Sequence, residues 1–362
     1  MHTMRLLVVT VFALMAGMPA FGAGGAEIAS DVVWRGGVDG YHTYRIPAVV
    51  TTKSGVVLAF CEGRKSSRSD AGDIDLLLKR SADNGDTWSA QAIVHEEGGD
   101  APITIGNPCP AVDASTGVIW LGFTRNNERA FITSSEDEGL SWTEPKEITK
   151  ALETFPFAWT RLGTGPVNGI QAADGRLVLP VWLNDRKGGD YRSGAILSED
   201  HGQTWKAGGI VPPTLPACNE CTVAELGHGR LYMNIRNKSD EKRRGISWSG
   251  DGGRTWSDGQ LEGQLPGPVC QAAVLRAGDA STALFSNPAS TSRENMTVRV
   301  THDAAKTWSP GKVLWPGPAA YSCLVALPDG RYGCLFEAGD ESPYENIRFA
   351  RFTLEQVENQ DG

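Results

Sequence analysis

The chain has 362 residues, 43 of them glycine, and a net charge of −9 at neutral pH. That balance argues against nucleic acid as a partner and against a basic membrane-binding surface. Abundant glycine and scarce helix-period stretches exclude an all-α chain and point to all-β architecture with many turns.

The first five residues, Met1-His-Thr-Met-Arg5, lead into an almost wholly apolar run from Leu6 to Met18, then small residues around Ala20 to Ala26. A basic start, a short apolar stretch and a small-residue region read as a secretory leader over 1–23. The run is too short for a comfortable membrane span. No cysteine lies just past it, which argues against a lipid anchor. The expected product is a secreted or periplasmic chain, with 24–362 as one domain.

Tyr44-Arg45-Ile46-Pro47 opens the first apolar strand, and Glu62-Gly63-Arg64 ends the second. A polar loop carrying Asp70 follows, with Asp73 and Asp75 close behind. The run Ile74–Lys79 predicts a strand, and it ends in the phrase Ser81-Ala-Asp83-Asn-Gly85-Asp-Thr87-Trp88. Further strands are predicted over 130–133, 193–197 and 297–300. Each precedes another copy of the phrase, with its aspartate at Asp137, Asp200 and Asp303; a fourth copy carries Asp251. The aspartates recur every 51 to 63 residues. Such a period means one supersecondary unit reused.

The phrase is turn chemistry. Aspartate accepts hydrogen bonds from nearby amides, and glycine takes a positive φ. In the fifth copy Ala305 stands where the others have glycine. The tryptophan suits packing under a hairpin, with an indole N–H that needs a partner. Each unit is about four short strands, which is a propeller blade. The mature length divided by the period predicts a six-bladed β-propeller. By themselves these boxes are scaffold.

The seven cysteines are an odd count, so at least one thiol is unpaired. Cys218-x-x-Cys221 has neither the second pair nor the nearby histidine that a zinc site needs. The tail beyond Leu354 is polar and expected to fray.

Three arginines then stand out: Arg45, Arg236 in Tyr232-Met-Asn-Ile-Arg236, and Arg293 in a Ser/Thr-rich stretch. Alone, Arg45 at a strand start reads as a solvated or salt-bridged surface group, whereas Arg236 lies in a strand-like apolar run where a charge is costly unless paired. The three fall in different blades, and equivalent places in a propeller converge at one end of the channel. Three guanidiniums meeting there would hold a carboxylate by charge-assisted, bidentate bonds.

With the Arg45-Ile46-Pro47 opening and the repeated boxes, the chain resembles the secreted bacterial exo-α-sialidases (neuraminidases) over its whole mature length. Tyr44 stands where that family often has phenylalanine. The resemblance implies a retaining hydrolase that removes terminal α-linked sialic acids from glycoproteins, mucins, glycolipids and oligosaccharides. It implies no cofactor and no metal. Arg45, Arg236 and Arg293 would clamp the substrate carboxylate, and Asp70 would be the acid/base, with a pKa free to rise on its loop. Asp73 and Asp75 are its neighbouring rivals. Tyr321 in Ala319-Ala-Tyr321-Ser would be the nucleophile, and Glu220, sixteen residues before Arg236, its base; Glu225 is the competitor. A neutral phenol approaches an anomeric centre bearing a carboxylate without the repulsion that a carboxylate nucleophile meets. Tyrosine-nucleophile sialidases are a named exception to two-carboxylate glycosidase chemistry. Glu337 would orient Arg45. Arg64 would lie near polar ring substituents, and Trp182 would line the glycerol side. A trans-sialidase, an anhydro-sugar-forming relative and a sialoglycan-binding propeller without catalysis stay open.

Overall fold

The computed structural model describes residues 28–185 and 189–359, so the expected leader lies outside the described residues. The fold is all-β and propeller-like. The apolar runs before the boxes are strands, Ile74–Ser81, Arg129–Ser135, Tyr191–Ser198 and Glu294–Thr301. Within a sheet, strands pair antiparallel with their chain neighbours: Thr43–Thr51, Val57–Arg64, Ile74–Ser81 and Ala92–His95 make one sheet in that order. Such local pairing needs only short turns, which is why glycine is so frequent.

Where six blades were expected, the described residues form five sheets. The last has seven strands, because Lys312–Ala326 runs unbroken for 15 residues. Its first part pairs with Glu294–Thr301 and its second with Tyr332–Ala338. Pro316-Gly317-Pro318 crosses between them as extended backbone, without a loop. The ring closes by hydrogen bonds. Ser30–Arg35, at the start, pairs with Asn346–Phe352, near the end, before the chain enters the first sheet.

The box turns repeat bond for bond. Ser81 Oγ donates to Asp83 Oδ1 (2.7 Å) and accepts from Gly85 N (2.8 Å). Asp83 also accepts from Thr87 N and Oγ1, at 2.9 and 2.6 Å. The Thr87 bonds hold the Asp83 carboxyl at about 2. Two successive residues in each turn have positive φ, from Asn84-Gly85 (60° and 85°) to Ala304-Ala305 (56° and 62°). Ala305 therefore occupies a left-handed position without glycine's freedom, costing about 1 kcal/mol. Elsewhere the glycine is also a space requirement. A Cβ on Gly85 would stand 2.3 Å from the Phe349 ring, and one on Gly202 2.0 Å from Trp120.

The box tryptophans fasten sheets together. Trp142 packs edge-on against Phe60 (5.8 Å) and Trp205 against Trp120 (6.2 Å), each in the preceding sheet. Trp88 of the first box reaches Phe349 of the last sheet, 5.3 Å away, and helps shut the ring. The expected indole partner is missing. Nε1 of Trp88, Trp142, Trp205, Trp256 and Trp308 is buried with no hydrogen bond. Burying a Trp ring is worth about 4–6 kcal/mol of apolar area, against about 1–3 kcal/mol for one unmet donor. Packing wins.

All seven cysteines are buried free thiols. Over its described part, to Asn359, the tail does not show the expected fraying. Leu354–Glu358 is a helix, with a capping box between Thr353 and Gln356 and Val357 buried. A cap at one end and one apolar anchor suffice to dock it. No helix among the described residues is long and apolar enough to cross a membrane.

Candidate active site

The first strands of the sheets lie against one another. In four places that first strand, or the shared strand Lys312–Ala326, loses register. The shifts fall at Arg45/Ala48, Gly106/Cys109, Cys218/Cys221 and Ala319/Ser322. Extra residues in a strand re-aim side chains and are frequent beside functional sites. Ile46 and Asn107 sit inside two of these bulges with φ of 61° and 58°. For a β-branched residue such as Ile46 that conformation is strained. It is held by Ile46 N donating to Glu337 Oε1 at 2.8 Å.

These bulges carry the chemistry. A cavity of about 200 Å³ is lined by Ile46, Arg64, Asp70, Glu220, Arg236 and Tyr321, among others. Arg45 donates from Nε and Nη2 to the two oxygens of Glu337, at 2.9 and 3.1 Å. Glu337 is fully buried and also accepts from Tyr321 N at 3.1 Å. Burial alone would lower the Arg45 pKa, but the Glu337 charge raises it, so the guanidinium stays charged in one orientation.

Tyr321 is where the three arginines meet. Its hydroxyl donates to Glu220 Oε1 at 2.6 Å and accepts from Arg236 Nη1 at 2.8 Å. The same Arg236 nitrogen bonds Glu220 Oε2 at 2.6 Å. Arg45 lies 5.0 Å and Arg293 5.6 Å from the Tyr321 ring centre. Burial pushes the phenol pKa well above its ordinary value; Arg236 pulls against it, Glu220 adds to it, and Arg45 and Arg293 oppose it. The hydroxyl is thus neutral, with a carboxylate in contact that can take its proton.

Asp70 stands at the rim, its side chain 83% exposed. Its Oδ1 accepts from Arg64 Nη1 at 2.8 Å and, more weakly, from Arg45 Nη1 at 3.4 Å. Here the structure corrects the sequence reading. Desolvation pushes the Asp70 pKa up as expected, but Arg64 and then Arg45 pull it down further, and the net shift is downward. The ligand-free carboxyl is ionised. Its rivals are engaged elsewhere: Asp75 is buried against Tyr41 Oη (2.5 Å) and Lys65 (3.2 Å), and Asp73 faces Lys65 at 3.9 Å. Glu225 accepts from Ala173 N at 2.8 Å and is not among the residues lining this cavity.

Arg64, almost fully buried, binds Glu62 Oε2 through Nε and Nη2 (3.1 and 2.6 Å) while holding Asp70. Trp182 lines the cavity next to Tyr191, 6.2 Å between rings. Arg293 donates to Tyr344 Oη at 2.7 Å, and the Tyr344 ring lies 4.4 Å from the Arg45 guanidinium. Sequence reasoning missed Tyr344, Glu62, Asn107, Arg161 and Lys238. Only Glu62, adjoining Gly63-Arg64, gave a hint. Arg161 and Lys238 line the cavity without a carboxylate partner among the described residues. They add positive potential at the mouth of an acidic chain, which favours an anionic ligand.

Residues 55–334 match the family of the BNR repeat-like domain. The chain is 32% identical to a sialidase of Micromonospora viridifaciens, over 88% of this chain and 52% of that protein. It is 31% identical to an exo-alpha-sialidase of Aspergillus fumigatus, over 88% of this chain and 86% of the other. Among solved structures it is similar to a Hadza microbial sialidase, with a TM-score of 0.81 and 30% identity, covering 91% of this chain and 69% of that one. The chain therefore spans about half the length of the Micromonospora protein.

Proposed function

The chain belongs to the sialidase family, and from that premise we propose that it is a retaining exo-α-sialidase releasing terminal sialic acids from glycoproteins, mucins, glycolipids and oligosaccharides. The observation that carries this reading is the Glu220–Tyr321–Arg236 contact, a buried phenol 2.6 Å from a carboxylate and ringed by three arginines.

Arg45, Arg236 and Arg293 grip the carboxylate of the acid sugar. Glu220 takes the phenol proton as Tyr321 Oη attacks the anomeric carbon. Asp70 gives a proton to the glycosidic oxygen, and the aglycone leaves as an alcohol. Asp70, now a carboxylate, removes a proton from water; that oxygen attacks the same carbon, and Tyr321 departs and recovers its proton from Glu220. Two inversions give net retention. The clamp binds ground and transition states alike, so much of its contribution falls in KM. Arg64 sets Asp70 in place and faces the ring substituents, and Trp182 lines the glycerol side.

A carboxylate on the clamp also offsets the positive field of Arg45 and Arg293. Asp70 then loses part of what holds it ionised, and the bound substrate itself helps make the proton donor. The seven-stranded sheet reads as two four-stranded blades sharing Lys312–Ala326, for six in all. Residues 1–23 read as a cleaved leader, giving a secreted or periplasmic enzyme.

Proton NMR of the first product from an aryl sialoside tests the reading. The α anomer is expected first. Appearance of the β anomer first means direct inversion and removes the tyrosyl intermediate; no turnover of any sialoside removes the activity.

A further inference from the structure

The stretch 267–272 links the strand Gln260–Pro266 to the strand Ala273–Arg276 and backs the clamp. Three successive residues of it reach the site. The Val269 carbonyl accepts from Arg293 Nη2 at 3.2 Å. Cys270 is buried in one cluster with Ile46, Ala320 and Tyr321. The Gln271 amide holds the backbone next to Tyr321 from both sides, donating to Ser322 O at 2.8 Å and accepting from Ser322 N at 2.9 Å. Val269 has a φ of 57°, which for a β-branched residue is strained. A neighbour must hold it there.

That neighbour is Arg244, on the strand Arg243–Ser249. Ile235 pairs with Gly245, so Arg236 and Arg244 stand side by side just past that pair. Arg244 is 2% exposed. Its Nη1 donates to the Cys270 carbonyl and its Nε to Asn234 Oδ1, the latter at 2.7 Å. Its Nη2 is buried without a partner. Both acceptors are neutral. Burial pulls the Arg244 pKa down to about 10, with Cys270 opposing and Arg236 adding to the fall, so the group is still charged at neutral pH. A buried cation without a bonded carboxylate, beside a second cation, costs stability. Such departures concentrate where function requires them. The arrangement mirrors the one at Ile46. There a buried carboxylate pins a strained residue through its amide; here a buried guanidinium pins one through the carbonyl that follows it.

We propose that Arg244 is a positioning residue for the clamp: by holding the Cys270 carbonyl it fixes the Val269 carbonyl that aims Arg293. It touches no substrate and acts through Arg293. The proposal rests on the sialidase reading above and adds to it a residue outside the cavity.

A double-mutant cycle on a methylumbelliferyl sialoside tests it, with Arg244→Leu, Arg293→Ala and the two combined. Arg244→Leu should lower kcat/KM by about 10-fold, mostly through KM. In the Arg293→Ala background the same change should cost less than about 2-fold, because the group it aims is gone. Arg244→Lys keeps the charge and a donor but not the fork, and should lose about 3-fold; it carries the same cycle if the leucine variant does not fold. A loss of equal size with and without the Arg293 guanidinium marks a merely structural role and overturns the assignment, as does no loss in either background. Wild-type turnover is the separate control: its absence defeats the sialidase reading, whereas its presence with an additive cycle defeats the Arg244 assignment alone.

Discussion

In the box turns, a serine or threonine, an aspartate and a second hydroxyl meet within a few residues of chain, and the same bonds recur from Asp83 to Asp303. At the mouth, Tyr321 meets Glu220 across 101 residues and Arg45 meets Glu337 across 292. The turns are local and repeated; the mouth is long-range and built once. The turns contain strained or under-satisfied groups too, such as Ala305 and the orphaned indoles, but packing absorbs them. At the mouth the strain at Ile46 and the burial of Glu337 serve to hold one guanidinium still. The difference teaches that repetition stabilises the ring, while the departures from repetition make the chemistry.

The comparison breaks most visibly at Tyr321. Tyr321→Phe keeps the ring and deletes the hydroxyl, and kcat should fall on the order of 10³-fold or more with thermal unfolding unchanged. Near-normal turnover in that variant would refute its role. Glu337→Ala comes next. It strands the buried Arg45 charge, so activity should collapse and stability drop by about 3–5 kcal/mol; a urea midpoint equal to wild type argues that the pair is idle.

The acid group gives a subtler test. Asp70 has a depressed pKa when free, so its protonated fraction grows only as pH falls. The alkaline limb of kcat/KM, which reports the free enzyme, should lie at lower pH than that of kcat, which reports the complex. Coincident limbs would mean that bound carboxylate does not relieve Asp70. The smallest effect belongs to the turns: Ala305→Gly should add about 1 kcal/mol of stability by relieving the left-handed strain, with kcat untouched. A destabilised variant would show that neighbouring packing, not φ, governs that turn.

Much of the site was legible once the residues were matched to a known motif set, yet the reasons differ residue by residue. Arg236 and Glu220 sit on paired strands, yet Glu220 was picked out only by resemblance, with Glu225 as its competitor. Arg45 with Glu337, and Tyr321 with all three arginines, could be proposed only by resemblance. Tyr344 carried no signal, being one aromatic in a polar loop. The pKa of Asp70 was misjudged because partial desolvation of the loop was foreseen and its grip by Arg64 was not.

The sequence by itself determined the strands, the turns and the repeat, because these depend on side chains a few positions apart: alternating apolar residues, an aspartate capping amides, a glycine free to turn left-handed. It did not decide the bulges that turn Arg45, Glu220 and Tyr321 inward, the unbroken strand that merges two sheets into one, or the direction of the Asp70 shift. Those were set by tertiary structure. Register, burial and the sum of charges at one point depend on which distant strands are brought side by side, and no local pattern encodes that distance.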